Sequence, residues 1–214
     1  MEPLSVAVNA VCKIAKITAV DNVAIFGAGP VGLLYVLLTT TEYLKLMSRT
    51  MAVCKAMGAR RIIAIDVSQG RLDFAKQYAA TDTHLSSPMN DGEERGAYSR
   101  RHVCPACQKM VADEKAELIS EKFGLSDRDH TGIDVVLDCS GAEVCIQTGM
   151  WLLKRKGKFI QVRSFLFEIR GWADEEVGNG ALYCNVPMLL VGNKELNVLG
   201  VFRVGLVLTR QRFH

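Results

Sequence analysis

The chain has no run of 18 or more apolar residues, so nothing in it reads as a membrane-spanning helix. Its first residues, Met1-Glu2-Pro3-Leu4, lack the basic start and apolar core of a signal peptide. It also lacks an excess of one charge. The 26 Lys and Arg stand against 23 Asp and Glu, for a net +3, which calls for neither nucleic acid nor an anionic membrane as partner. Short basic pairs such as Arg60-Arg61 and Arg100-Arg101 read as solvated surface. A second paired cysteine motif is missing as well. Seven cysteines (12, 54, 104, 107, 139, 145 and 184) are dispersed and odd in number, which fits reduced thiols in a cytoplasmic compartment better than a disulfide framework. One C-x-x-C exists, Cys104 to Cys107 beside His102. A structural zinc needs four ligands, usually from two such pairs, and His84 and His130 are isolated. The His102–Cys107 stretch therefore reads as an ordinary exposed loop.

What is present is the pattern of an ordinary globular α/β chain of 214 residues, 49% hydrophobic and 23% charged. Short apolar runs at Asn22–Gly27, Arg61–Asp66, Ile133–Asp138 and Lys158–Val162 predict buried strands, with a fifth at Glu195–Gly200. Strands apolar on both faces belong to parallel sheets. Helical periodicity lies between them. It covers Gly70–Ala79, Asp113–Phe123 with an acidic start and Gly124 as a stop, and Ala142–Lys156 with a basic end before Gly157. The alternation predicts a Rossmann-like, doubly wound parallel sheet with right-handed crossovers.

The strongest local motif is Gly27-Ala28-Gly29-Pro30-Val31-Gly32, which fits G-x-G-x-x-G directly after one strand and before a helical run. Gly27 allows the tight turn, Gly29 the approach of backbone to a pyrophosphate, and Gly32 the close packing of helix on strand. The phosphates would meet free N–H groups at the helix start, where Pro30 costs no hydrogen bond. Asp66 ends the second strand. A carboxylate there accepts hydrogen bonds from the adenosine ribose and repels a 2′-phosphate, which favours NAD over NADP. Arg71 lies five residues on, within reach of the adenine. The competing reading makes the glycines a mere turn and Asp66 a surface carboxylate. A methyltransferase also uses a glycine loop and an acid after the second strand, but the three-glycine spacing argues against it. One feature departs from the motif: 34 residues separate Gly32 from Asp66, where about 20 are usual.

Longer segments carry a resemblance. Glu2-Pro3-Leu4-Ser5-Val6-Ala7-Val8, then VAIFGAGPVGLL (23–34), AVCKAMGARRIIAIDVSQGRLDFAK (52–76) and DVVLDCSGAEVCIQTG (134–149) resemble the medium-chain zinc-dependent polyol dehydrogenases, above all the fungal xylitol dehydrogenases (D-xylulose reductases) and their sorbitol and arabinitol relatives. The resemblance implies that Gly27, Gly29, Pro30, Val31 and Gly32 hold the pyrophosphate, and that Asp66 and Arg71 hold the adenosine end. Cys139, Ser140 and Gly141 then lie beside the nicotinamide half, with Phe202 and Arg203 closing over it. It implies hydride transfer from a sugar polyol to NAD, with zinc polarising the alcohol oxygen. It also implies that the zinc ligands lie in an N-terminal domain that this chain lacks. Only Glu2 matches a family glutamate near the zinc, and one carboxylate does not hold a catalytic metal. No catalytic residue is therefore expected here, and the chain alone is expected to be inactive.

The implied organisation is a remnant of the joining helix over 1–20, an NAD-binding domain over 21–203, and a divergent tail over 204–214. Segments 35–50, 102–113 and 163–178 have no family counterpart and read as translated introns or surface insertions. Strand 195–200 is the expected edge for a homo-oligomer. The alternative from another class is a non-catalytic nucleotide-binding or dimerisation module.

Overall fold

The computed structural model describes residues 6–27, 50–86, 105–162 and 186–201. These form a six-stranded parallel sheet from β1 (Asn22–Phe26), β2 (Arg61–Asp66), β3 (Asp82–Leu85), β4 (Ile133–Asp138), β5 (Leu153–Val162) and β6 (Asn197–Val201), in the order β3-β2-β1-β4-β5-β6. This is the strand order of a dinucleotide-type doubly wound sheet, with β1 and β4 adjacent where the chain switches direction. The helices are α1 (Gln69–Tyr78), α2 (Pro105–Phe123), α3 (Glu143–Leu152) and α4 (Met188–Lys194), with a further helical stretch over residues 50–56.

Because side chains alternate along a strand, each central strand feeds two cores. Val23, Ile25, Ile62, Ala64, Val135 and Leu137 face one side, where they bury Leu72 of α1, Met51, and Ala10 and Val11 of the segment before β1. Ala24, Phe26, Ile63, Ile65 and Val136 face the other, against Ile119 of α2, Ile146 and Met150 of α3 and Leu190 of α4. Both faces are therefore covered, which is why the strands read as unbroken apolar runs. Among the described residues no helix is long and apolar enough to cross a membrane.

The segment before β1 is α-helical over residues 6–8 and continues as a π-helix, Asn9–Ala15. It stops at Lys16, whose φ of 52° is left-handed, and Lys158 Nζ donates to its last carbonyl, Ala15 O, at 2.7 Å. That contact ties the segment to β5.

Three expectations are corrected. The helix expected to run to Lys156 ends at Leu152, and β5 begins at the next residue. Tertiary contacts override the basic helix-end signal. Lys194 Nζ donates to Trp151 O and Leu153 O at 2.7 and 2.8 Å, and Lys154 pairs with Asp134. The β4–β5 register then jumps from Ile133↔Leu153 to Val135↔Lys158, so a bulge holds the basic residues, with Lys156 at φ 62°. The second correction concerns the loop expected around Cys107. From Pro105 the chain is already helical, and α2 starts there rather than at Asp113. Proline is favoured in a first turn because its missing N–H has no partner to lose. Third, the last strand runs over Asn197–Val201, with Glu195 in a left-handed conformation that closes α4 (φ 52°). Two elements carried no strong signal: β3, whose DTHL sequence is mostly polar, and the short α4 after Pro187.

Candidate functional site

The carboxyl ends of the strands line up in one row. Register pairs His84 with Ile65, Ile65 with Phe26, Phe26 with Asp138, Asp138 with Gln161, and Gln161 with Gly200. Gly27 continues β1 by one residue, its N–H donating to Ile65 O at 2.9 Å. Its neighbours on either side are the ends of β2 and β4, each closed by an aspartate. In open α/β sheets ligands bind at this end, in the crevice at the switch point.

Asp66, on β2, has a side chain with no exposed surface. Its Oδ1 accepts the Ser68 N–H at 2.9 Å, and Arg71 Nη1 lies 3.7 Å from the same oxygen. Its Oδ2 is buried and has no hydrogen-bond partner. Burial pushes this carboxyl above the usual carboxylate range, against the opposing pull of the Ser68 amide and the Arg71 charge. A buried carboxylate oxygen without a donor is costly, and a ligand hydroxyl removes that cost.

Asp138, on β4, is equally buried but fully used. Its Oδ1 accepts Ser140 N–H at 2.9 Å and Ser140 Oγ–H at 2.6 Å. Its Oδ2 accepts Gly141 N–H at 3.1 Å and Gln161 Nε2–H at 2.8 Å. Burial raises this carboxyl too, and these donors oppose the rise. Gly141 takes a φ of +69°, a left-handed angle that glycine adopts without strain, and an added Cβ would meet no atom within 4 Å. The Cβ direction at Gly141 therefore faces open space.

Cys139 lies beneath this turn in the core. Burial, reinforced by the Asp138 charge, pushes its thiol up to about 12. Cys145 is pushed to about 12 as well, again mainly by burial. Both thiols stay protonated at neutral pH and are not nucleophiles. His84, half-buried on β3, has no partner at Nδ1 and packs edge-on to Phe123 at 6.3 Å. Burial, then the charges of Lys122 and Lys115, hold its pKa below the ordinary imidazole value.

Of the residues singled out from sequence, the structure brings together Gly27, Asp66, Arg71, Cys139, Ser140 and Gly141 at one end of the sheet. Gly29, Pro30, Val31, Gly32, Phe202, Arg203 and Glu2 lie outside the described residues, as does Cys104. Asp138 and Gln161 were not singled out. The signal for Asp138 was available, since IDVVLD ends on an acid as RIIAID does. Among the described residues no group of three or more His, Cys, Asp or Glu side chains is placed to hold a metal ion. The described residues thus do not fit a zinc centre.

Comparison with known proteins gives a consistent picture. The family model for zinc-binding dehydrogenases matches residues 48–213. The D-xylulose reductase A of Aspergillus niger is 37% identical over 205 residues, which is 96% of this chain and 42% of that protein. The chain thus spans less than half the length of that relative. Benzyl alcohol dehydrogenase from Acinetobacter calcoaceticus superposes with a TM-score of 0.59 at 16% identity, over 94% of this chain and 39% of that one. A Sinorhizobium meliloti protein solved bound to NADP gives 0.57 at 17% identity, over 94% and 43%. At these identities the two structures speak for the fold.

Proposed function

Because this chain belongs to the zinc-binding dehydrogenase family, we propose that it is the dinucleotide-binding domain of an oxidoreductase that moves a hydride between a sugar polyol and NAD. The observation that carries the cofactor reading is Asp66 Oδ2, a buried and unpartnered acceptor at the carboxyl end of the second strand. A ribose diol supplies the donor that this oxygen lacks. A 2′-phosphate in the same place meets a carboxylate and is repelled, so NAD is preferred over NADP. When bound, the nicotinamide ring supplies the hydride acceptor.

In this reading residues 21–203 form the cofactor domain, 1–20 join it to a catalytic domain, and 204–214 are a tail. Gly27, Gly29, Pro30, Val31 and Gly32 cradle the pyrophosphate, and Arg71 steadies Asp66 at the adenosine end. Cys139, Ser140 and Gly141, with Phe202 and Arg203, border the nicotinamide. The resemblance to D-xylulose reductases supports a five- or six-carbon polyol as substrate of the whole enzyme. It also assigns the zinc ligands to sequence outside this chain, so the chain alone binds the dinucleotide without oxidising a polyol.

Calorimetric titration of the purified chain with NAD and NADP tests the reading. NAD binds in the micromolar to millimolar range, NADP more weakly, and Asp66→Ala weakens NAD by about tenfold or more, as loss of hydrogen bonds to a charged group requires. A folded chain that takes up neither nucleotide sinks it.

The other edge supports a second element of the reading, association with another copy. Among the described residues β6 is an edge strand whose Val198 and Leu199 are exposed, and α4, which precedes it in the chain, exposes Met188 and Leu189 by 67% and 79%. Pairing two such edges about a two-fold axis covers this apolar surface.

A further inference from the structure

The turn that leaves β4 has an unusual hydrogen-bond balance. Four consecutive backbone amides are turned inward. Cys139 N–H donates to Phe26 O at 2.9 Å, Ser140 and Gly141 N–H to the two oxygens of Asp138, and Ala142 N–H to Ser140 Oγ at 3.2 Å. The Ser140 hydroxyl proton is spent on Asp138 as well. A turn that cradles phosphate does the opposite and points successive N–H groups at the ligand. Here a single carboxylate, anchored from the next strand by Gln161, has collected the Ser140 and Gly141 amides and the Ser140 hydroxyl. The turn keeps none of these four N–H groups for a ligand. Open space in front of Gly141 gives a ligand room to reach it.

We propose that Asp138 is a positioning residue that makes the Cys139–Gly141 turn a purely accepting surface, so that the turn receives hydrogen-bond donors of the nicotinamide nucleoside and rejects phosphate. The proposal rests on the cofactor reading above and adds how this end of the site tells the two halves of the dinucleotide apart. The donors in question are the ribose hydroxyls and the carboxamide NH2 of the nicotinamide half. The pyrophosphate is left to the glycine motif after β1. Asp138 itself touches no ligand. It acts through the orientation of the two peptide groups whose N–H it accepts, those of Ser140 and Gly141.

Asp138→Asn tests this, because it keeps the shape and replaces one acceptor by an NH2 group. Whichever way the amide lies, a donor then faces a donor, either Gly141 N–H and Gln161 Nε2–H or the two groups of Ser140. Inward amides are freed and the turn loses its one-sided character. Calorimetric titrations of the wild-type and variant chains are run with ADP, ADP-ribose and NAD. NAD binding is expected to weaken by about tenfold, while ADP changes by less than about twofold. If ADP-ribose weakens with NAD, the second ribose is the donor; if only NAD weakens, the carboxamide is. Equal weakening of all three probes would show that Asp138 serves the fold alone and would overturn the proposal. So would an unchanged NAD affinity. A folded wild-type chain that binds none of the three overturns the cofactor reading itself, and this inference with it. Should Asp138→Asn not fold, Gln161→Leu removes one anchor of the carboxylate and leaves the turn's own bonds. It is read in the same way, with an NAD-selective loss of about threefold expected and an unselective or absent loss overturning the proposal.

Discussion

Asp66 and Asp138 are chemically the same residue in nearly the same place, at the ends of strands flanking β1, and they do opposite work. Asp138 has spent both oxygens on the protein. Asp66 keeps one in reserve. That reserve has a cost whose sign follows from its raised pKa. The folded chain holds the Asp66 proton more tightly than the unfolded chain does, so stability falls as pH rises from the ordinary value of 3.8 through the raised one. Nucleotide affinity runs the other way, rising over the same window as the carboxylate ionises and accepts ribose hydroxyls. Two outcomes are expected for Asp66→Asn. Thermal melting of the ligand-free variant at pH 7 should show a gain on the order of 0.5–2 kcal/mol. Titration across pH should show that the acid-side loss of NAD affinity, present in the wild type, has gone. A variant no more stable than wild type, or one with the same pH profile, contradicts this account.

At Gly149, α3 packs tightly against the sheet. A Cβ built on Gly149 comes within 2.9 Å of Val136 Cγ1, 3.0 Å of Phe159 Cε2 and 3.4 Å of Phe26 Cε2. Glycine costs about 1 kcal/mol of helix propensity there, and close packing over β1, β4 and β5 offsets it. Gly149→Ala should regain that propensity and lose about 1–3 kcal/mol to overpacking. The net loss is smaller than the roughly 3 kcal/mol or more expected of Gly149→Leu, and urea denaturation checks the order. Such packing was not legible in the sequence, where Gly149 is only a glycine in a helical run.

Legibility followed burial. Strands β1, β2 and β4 are apolar on both faces, so their residues alone mark them, and Asp66 is marked by the strand it ends. β3 owes its place to the Arg61–Asp82 ion pair at 2.7 Å and to pairing with β2, neither of which a polar DTHL sequence reveals. Residues 154–156 look like a helix end until Lys194 takes the last carbonyls of α3 and Asp134 takes Lys154. The special role of Asp138 becomes visible only when every donor around it is counted. The glycine motif beyond Gly27 falls outside the described residues, so its part in the site stays a proposal that the titrations test.

Among the described residues the two edges of the sheet differ in kind. β3 is short and polar, a four-residue strand that offers little to a partner. β6 presents Val198 and Leu199, exposed by 45% and 39%. Light scattering after size exclusion should give a dimer mass for the wild-type chain. Val198→Lys, which sets a charge on that edge, should give a monomer with an unchanged circular dichroism spectrum. A monomeric wild type refutes the pairing.

The strand order also sets a timetable. β1 lies at the centre of the finished sheet, yet its partner on one side, β4, follows 112 residues later, as the Asn22 N–H bond to Asp134 illustrates. At a synthesis rate of about 5–20 residues per second, the open edge of NVAIF waits roughly 6–22 seconds for its neighbour. Through that interval the nascent chain carries an unpaired strand edge that is apolar but for Asn22, the kind of surface on which chains stick to one another. The yield of folded protein should therefore depend on elongation speed and on chaperone supply well before any cofactor is present to stabilise it.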